Sequence, residues 1–122
     1  MKTDLCKVDN GNTKFSGIVM RYFEDKVYIY IPHSWVTDEV RRSIPTEFQS
    51  SREGVSLLVP LDCVELIRKI DVEMHESVER FWASQDENGQ PLTPPKAIFY
   101  TVLSLSIDGK TIEKLDNTWS WD

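Results

Sequence analysis

The sequence has few basic side chains and few cysteines, and it lacks both long apolar runs and glycine-rich phosphate-binding loops. Its 122 residues include 14 lysines and arginines against 20 aspartates and glutamates, which gives a formal net charge of −6. This shortage of positive charge argues against direct binding to nucleic acid, which requires a basic surface to displace phosphate counterions. It argues equally against an anionic membrane surface as partner.

Motifs for common chemistry are also missing. Cys6 and Cys63 form no CxxC pair, and we expect reduced thiols in a cytoplasmic protein. The N-terminus has no apolar signal-peptide core, and no run approaches the roughly 18 apolar residues of a membrane span. Without a GxGxxG, GxxxxGK[ST] or GxSxG motif, we predict no cofactor and no catalytic residue. His75 and Glu79 have the spacing of two ligands on a zinc-binding helix, but a third ligand is missing, so we predict no metal site.

Length and composition indicate one globular domain over residues 1–122. Hydrophobic residues make up 40% of the chain and charged residues 28%, proportions typical of a folded protein. A domain of this size buries roughly two thirds of the surface of its unfolded chain, so it needs neither a metal nor a disulfide to fold. Residues 1–14 are mostly polar and contain Asn10-Gly11-Asn12, and we expect them to form a loosely ordered arm.

Alternating side chains predict several β-strands. In residues 26–32, valine and isoleucine alternate with tyrosine, which is the period-2 pattern of a strand. The pair Asp108-Gly109 has the composition of a tight hairpin turn. The predicted strands are 15–23, 26–32, 55–61, 97–107 and 110–115, with a short helix over 38–43 capped by Thr37 and a loop over 46–54.

Residues 64–83 fit two patterns. On a helical projection, apolar side chains from Val64 to Trp82 fall within an arc of about 120°. The same residues alternate as a strand up to Met74, with charged side chains on the opposite face. We favour a strand to about Met74 followed by a short helix through Trp82. The predicted fold is α+β, a mostly antiparallel sheet or small, partly open barrel with one or two short helices; the alternative is an antiparallel sheet packed on one long helix over 63–84.

An acidic cluster extends from Asp71 to Glu87, where six acidic residues accompany a single basic residue, Arg80. Like charges this close raise the free energy of the folded chain, and a basic partner would relieve the repulsion and associate quickly by electrostatic steering. We predict an interaction surface here; a solvated, solubilising face is the alternative. Tryptophan dominates many protein interfaces, so we include three tryptophans among the predicted partner-binding residues. The alternative is that these side chains pack at the ends of strands. The predicted partner-binding residues are Asp71, Glu73, Glu76, Glu79, Asp86, Glu87, Trp82, Trp119 and Trp121.

These features favour a small acidic cytoplasmic protein, not an enzyme, that binds and neutralises a basic protein partner. Immunity proteins against nuclease toxins, antitoxins and phage-encoded inhibitors have this general size and charge, and they occupy the nucleic-acid or active-site surface of the partner. One alternative is a small ligand-binding barrel or enzyme with a pocket framed by Tyr22, Tyr28, Tyr30 and Trp82. Another is a structural or assembly subunit. The sequence leaves the partner's identity and the oligomeric state open.

Overall fold

The computed structural model describes residues 1–44, 53–83 and 85–115. These residues form an antiparallel sheet with one short α-helix and two turns of 3₁₀ helix, so the predicted mostly antiparallel α+β fold is confirmed. The two 3₁₀ turns are His33–Trp35 and Leu61–Cys63. The elements are β1 (Lys2–Asp9), β2 (Lys14–Phe23), β3 (Lys26–Ile31), α1 (Asp38–Arg42), β4 (Glu53–Pro60), β5 (Val64–Trp82), β6 (Ala97–Ile107) and β7 (Lys110–Lys114).

The strand order is β4-β3-β2-β1-β5-β6-β7, and β4 also pairs with β6. This additional pairing closes six strands into a ring, and β7 extends the sheet beyond it. One side of β6 is paired with β5 along nearly its whole length. Its other side is shared, since β4 pairs with residues 97–101 and β7 with residues 104–107.

The sheet buries side chains on both of its faces. Successive side chains of a strand point to opposite faces, and in β3 Ile29 joins one apolar cluster while Tyr30 joins another. Each buried aliphatic side chain contributes roughly 1.5–3 kcal/mol relative to exposure. The first cluster includes Cys6, Val8, Phe15, Val19, Val27, Ile29, Ile31, Val55 and Phe99, together with Val40 of α1. The second comprises Ile18, Tyr30, Ile70, Val72, Tyr100, Val102, Leu105 and Ile107.

Residues 1–14 are not a loosely ordered arm, because most of them form β1, which lies between β2 and β5. Its alternate residues Asp4, Cys6 and Val8 are buried. The Asp4 carboxylate accepts a hydrogen bond from Tyr22 Oη at 3.1 Å and lies 3.0 Å from Lys69 Nζ. The polar composition concealed this strand, since its buried charge is compensated by residues distant in the sequence.

Residues 64–82 form one strand, so the predicted short helix after Met74 is wrong, and so is the alternative of one long helix over 63–84. Pairing with β6 continues from Val72 to Trp82, which satisfies the backbone groups that a helix would have satisfied internally. The register shifts on both sides of Glu76, and the buried face changes along the strand. Ile70 lies in the second cluster, whereas Trp82 packs against the first. A strand that changes its buried face in this way breaks the simple period of two.

Two features predicted from local sequence are confirmed, namely the helix capped by Thr37 and the hairpin turn at Asp108-Gly109. Helix α1 begins after Thr37, whose side chain accepts a hydrogen bond from the backbone N–H of Val40. Asp108 and Gly109 both have positive φ, 52° and 80°, as a tight hairpin turn between β6 and β7 requires. In the predicted loop 46–54, residues 46–52 lie outside the described residues, and the last two residues belong to β4.

Gly54 leaves room for the phenol of Tyr30, so its replacement tests the packing of the second cluster. A Cβ at this position would overlap the hydroxyl and ring carbons of the fully buried Tyr30. We expect Gly54→Ala to lower the free energy of unfolding by about 1–3 kcal/mol, because overpacking forces neighbours from their preferred rotamers. Chemical denaturation measures the loss. The loss should be smaller in a Tyr30→Phe background, where the nearest atom is removed, and an equal loss in both backgrounds would contradict this packing.

Candidate functional site

The predicted acidic surface lies partly on β5, where Asp71 and Glu73 occupy the face opposite the buried Val72. Asp71 is compensated locally, since its carboxylate lies 3.8 Å from Lys2 Nζ and 3.2 Å from the amino group of Met1. Glu73 is exposed and forms no ion pair with the described residues. Of these two carboxylates, Glu73 is therefore the one available to a partner.

Glu76 lies between the two register shifts and Glu79 follows them, and they pair with Val102 and Tyr100 of the second cluster. Partial burial raises the pKa of the Glu76 carboxyl, and the neighbouring Glu79 carboxylate raises it further. Burial and these two carboxylates also raise the pKa of the Tyr100 hydroxyl. The two glutamates therefore lie in a region of negative potential that no positive side chain among the described residues balances with an ion pair.

Arg80, the one basic residue of the acidic cluster, is engaged elsewhere. Its Nε donates to Glu53 Oε1 at 3.0 Å, and its terminal nitrogen contacts the second oxygen of the same carboxylate. The guanidinium also lies 5.8 Å from the centroid of the Phe99 ring. Through these contacts Arg80 joins β5 to β4.

A groove of about 460 Å³, here called the β5 groove, opens beside these carboxylates. Methionines line it from three parts of the chain, namely Met1, Met20 of β2 and Met74 of β5. Glu73 and Glu76 also line the groove and supply its negative charge; Val72 and His75 complete it. Methionine is flexible and polarisable, so a methionine surface adapts to different partners. Sequence reasoning found the carboxylates of this site but missed Met1 and Met20, because strand pairing alone brings them to β5.

The remaining acidic candidates lie in the turn after β5. Asp86 Oδ1 accepts hydrogen bonds from the backbone N–H groups of Asn88 and Gln90, both at 2.9 Å. That carboxylate therefore stabilises the turn. Glu87 is exposed beside it.

Of the tryptophan candidates, Trp82 is half-buried and packs against the first cluster. Lys96 Nζ lies 5.0 Å from the centroid of its ring. Trp119 and Trp121 lie outside the described residues. Trp82 therefore has a packing role that the sequence did not separate from an interface role.

The four aromatic residues proposed to frame a pocket are not brought together. Tyr28 and Tyr30 are buried, and the hydroxyl of Tyr28 donates to the carbonyl of Pro95. Tyr30 belongs to the second cluster, whereas Trp82 packs against the first. Tyr22 is about half exposed and donates to Asp4. All four therefore have structural contacts that explain their presence without a common ligand.

Buried Glu113 of β7 was not anticipated from the sequence. Its Oε1 accepts hydrogen bonds from the backbone N–H of Ser34 at 2.8 Å and from Ser34 Oγ at 2.7 Å. His33 Nε2 lies 3.6 Å from Oε2. These contacts join β7 to the 3₁₀ turn after β3. No local pattern indicates them, because the partners are 79 positions apart.

Groups that could hold a metal or act as a nucleophile are sparse. Within the described residues, no three histidine, cysteine, aspartate or glutamate side chains are grouped to bind a metal ion. Burial raises the pKa of the Cys6 thiol to about 11, which keeps it protonated and a poor nucleophile at neutral pH. Its Sγ lies 3.4 Å from the carbonyl oxygen of Gly17.

The chain matches no family model, no curated protein and no solved structure. Across the ranges that the structure describes, no helix is long and apolar enough to cross a membrane. The geometry of the β5 groove is therefore the main indication of function.

The raised pKa of Glu76 makes the groove sensitive to pH. A carboxyl whose pKa is higher in the folded state binds its proton more tightly there, so its contribution to stability is lost as the pH rises through that pKa. We expect Glu76→Gln to raise the free energy of unfolding at pH 7. The gain should disappear below about pH 4, where an ordinary glutamate is largely protonated. Denaturation curves at both pH values measure this difference.

Replacing the neighbour separates the two causes. Glu79→Gln removes one nearby negative charge, so it should lower the pKa of Glu76 towards its ordinary value without abolishing the effect of burial. A carboxyl NMR titration of Glu76 reports this change directly. An unchanged pKa in the variant would show that Glu79 does not act on the groove.

Proposed function

We propose that the protein binds a basic protein partner through the β5 groove and thereby neutralises it. The observation that carries this proposal is the combination of Glu73 and Glu76 with a methionine lining in one groove. The net charge of −6 supports it, because a strongly acidic protein attracts a basic one over long range. The proposed role is that of a small binding inhibitor, of the kind seen in immunity proteins, antitoxins and phage inhibitors.

The groove suits a lysine or arginine side chain of the partner. Such side chains carry an apolar stem and a charged head. The stem would pack against Met20 and Met74, while the head would bind the carboxylates of Glu73 and Glu76. Hydrogen bonds between ionised groups are roughly twice as strong as neutral ones. A purely solubilising face would gain nothing from the methionine lining.

The raised pKa of Glu76 is a second reason to expect affinity for a cation. Its raised pKa means that the folded protein holds this carboxylate at a cost when it is charged. A cation in the groove favours the charged form, so binding lowers that cost. A partner surface that binds phosphate groups is basic, so its cations would lower the cost of charging Glu76 in the same way. We therefore propose that the blocked surface is the nucleic-acid-binding or active-site surface of the partner.

The function is tested by reversing charges at the groove. The triple variant Glu73→Lys, Glu76→Lys and Glu79→Lys should bind a short lysine-rich peptide at least about tenfold more weakly than the natural chain. The natural interaction should also weaken as salt is added, because exposed charges are screened. Titration calorimetry and NMR chemical shifts measure the affinity and locate the peptide.

A matched control carries the same charge change elsewhere. Asp25, Glu39 and Asp62 are exposed acidic residues outside the β5 groove, and their reversal to lysine alters the net charge equally. If this control loses as much affinity as the groove variant, binding depends on overall charge and the proposed site is wrong. The proposed site would also be wrong if the groove variant kept its affinity for the peptide.

A further inference from the structure

A second groove, of about 570 Å³, lies on a different part of the sheet and is mainly apolar. It runs along β1 and β2 beneath the 3₁₀ turn that follows β3, and is here called the β1–β2 groove. Its volume is within the range of about 300–1,000 Å³ found for small-molecule sites. The apolar lining includes Leu5, Phe15, Trp35 and Ile67, and the polar lining includes Lys7 and Ser16.

A β-bulge turns Ile67 into this groove. Leu5 pairs with Arg68 and Cys6 pairs with Leu66, so Ile67 has no partner on β1. Bulges redirect side chains and occur often beside functional sites. Ile67 remains 43% exposed although it is a large aliphatic residue. The bulge therefore presents the apolar side chain of Ile67 to the groove, whereas regular pairing would have placed Ile67 opposite a residue of β1.

Trp35 forms the opposite wall and is held in place by the rest of the fold. It is half-buried and packs against both apolar clusters. The preceding residue, Ser34, donates two hydrogen bonds to the buried carboxylate of Glu113. This anchoring fixes the 3₁₀ turn that carries Trp35, so the wall is formed before any ligand binds and little ordering entropy is lost on binding.

The polar lining of the groove contains one positively charged side chain, that of Lys7. Lys7 pairs with Ser16 across β1 and β2, which places their Cβ atoms about 4.5–5.5 Å apart on one face. Leu5 lies two residues from Lys7 and therefore on the same face. Both polar side chains are exposed, and Lys7 forms no ion pair with the described residues. Glu65 is the cross-strand neighbour of Lys7 on β5 and opposes its charge, but it does not line the groove.

We propose that the β1–β2 groove binds a monocarboxylate with an extended apolar body. The carboxylate lies between the ammonium of Lys7 and the hydroxyl of Ser16, both of which donate hydrogen bonds. The apolar body lies between Trp35 and the bulged Ile67. Charge complementarity selects this ligand class, because Lys7 is the one charged side chain that lines an otherwise mainly apolar groove. The proposal is independent of the basic partner, whose site is the β5 groove.

Decanoate is a suitable probe below its micelle-forming concentration. Titration calorimetry should show that decanoate binds more tightly than decanol, which has the same chain without the charge, and more tightly than decyltrimethylammonium. NMR spectra should place the shifted signals at the Trp35 indole and the Ile67 methyl groups. Absence of decanoate binding, or tighter binding of the cation, would overturn the proposal.

Variants test each end of the groove. Lys7→Gln should weaken decanoate binding about threefold, the effect of one exposed ion pair, and Glu65→Gln should strengthen it by a similar factor. Ile67→Asp should weaken it at least about tenfold, because it places a charge in the apolar lining. Leu103→Asp is the matched control, since Leu103 is also 43% exposed but does not line the groove. Equal losses in the two aspartate variants would overturn the assignment.

Discussion

The structure depends on the pairing of β6 with neighbours on both sides. β5 covers one side of this strand, while β4 and β7 divide the other between them. The first half of β6 is buried on both faces, with Phe99 in the first cluster and Tyr100 in the second. Arg80 reinforces this arrangement by reaching past the ring of Phe99 to the carboxylate of Glu53. Both apolar clusters therefore include residues of β6.

The same constraint determines how charge is distributed along β5. This strand is longer than any other described strand, and each part of it has a different neighbour. Where it covers the second cluster, Ile70 and Val72 point inward and the alternate positions face water. Beyond the register shifts, Trp82 points towards the first cluster instead. Acidic residues occupy solvent-facing positions on both parts, so one strand can present carboxylates around the β5 groove and still contribute to two cores.

Local patterns sufficed to predict strands that have a clear alternation of side chains or a strong turn signal. β3 was evident from its alternation, and the β6–β7 hairpin from Asp108-Gly109. β1 was missed because its burial depends on β5, which is far along the chain, and on the compensation of Asp4 by Lys69. The C-terminal part of β5 was mistaken for a helix because the register shifts disturb its alternation.

The site was predictable to a similar degree. The exposed carboxylates of β5 were identified as a cluster from the sequence, since they are close along the chain. The methionine lining depends on strand pairing, and so does the engagement of Arg80 with Glu53. The β1–β2 groove left no sequence signal, because Trp35 and the bulged Ile67 meet only in the folded chain. Features built from long-range pairs are those that a single sequence conceals.

The two grooves differ in the physical basis of their selectivity. In the β5 groove, partial desolvation and the neighbouring Glu79 raise the pKa of the Glu76 carboxyl, so its negative charge raises the free energy of the unbound protein. A bound cation reduces this free energy, and selectivity comes from charge. In the β1–β2 groove, the apolar walls provide most of the contact area, and Lys7 only orients the ligand. Because the charges have opposite sign and lie on separate parts of the sheet, a ligand suited to one groove is disfavoured by the other. Occupation of the β1–β2 groove would therefore leave the acidic surface available to the proposed basic partner.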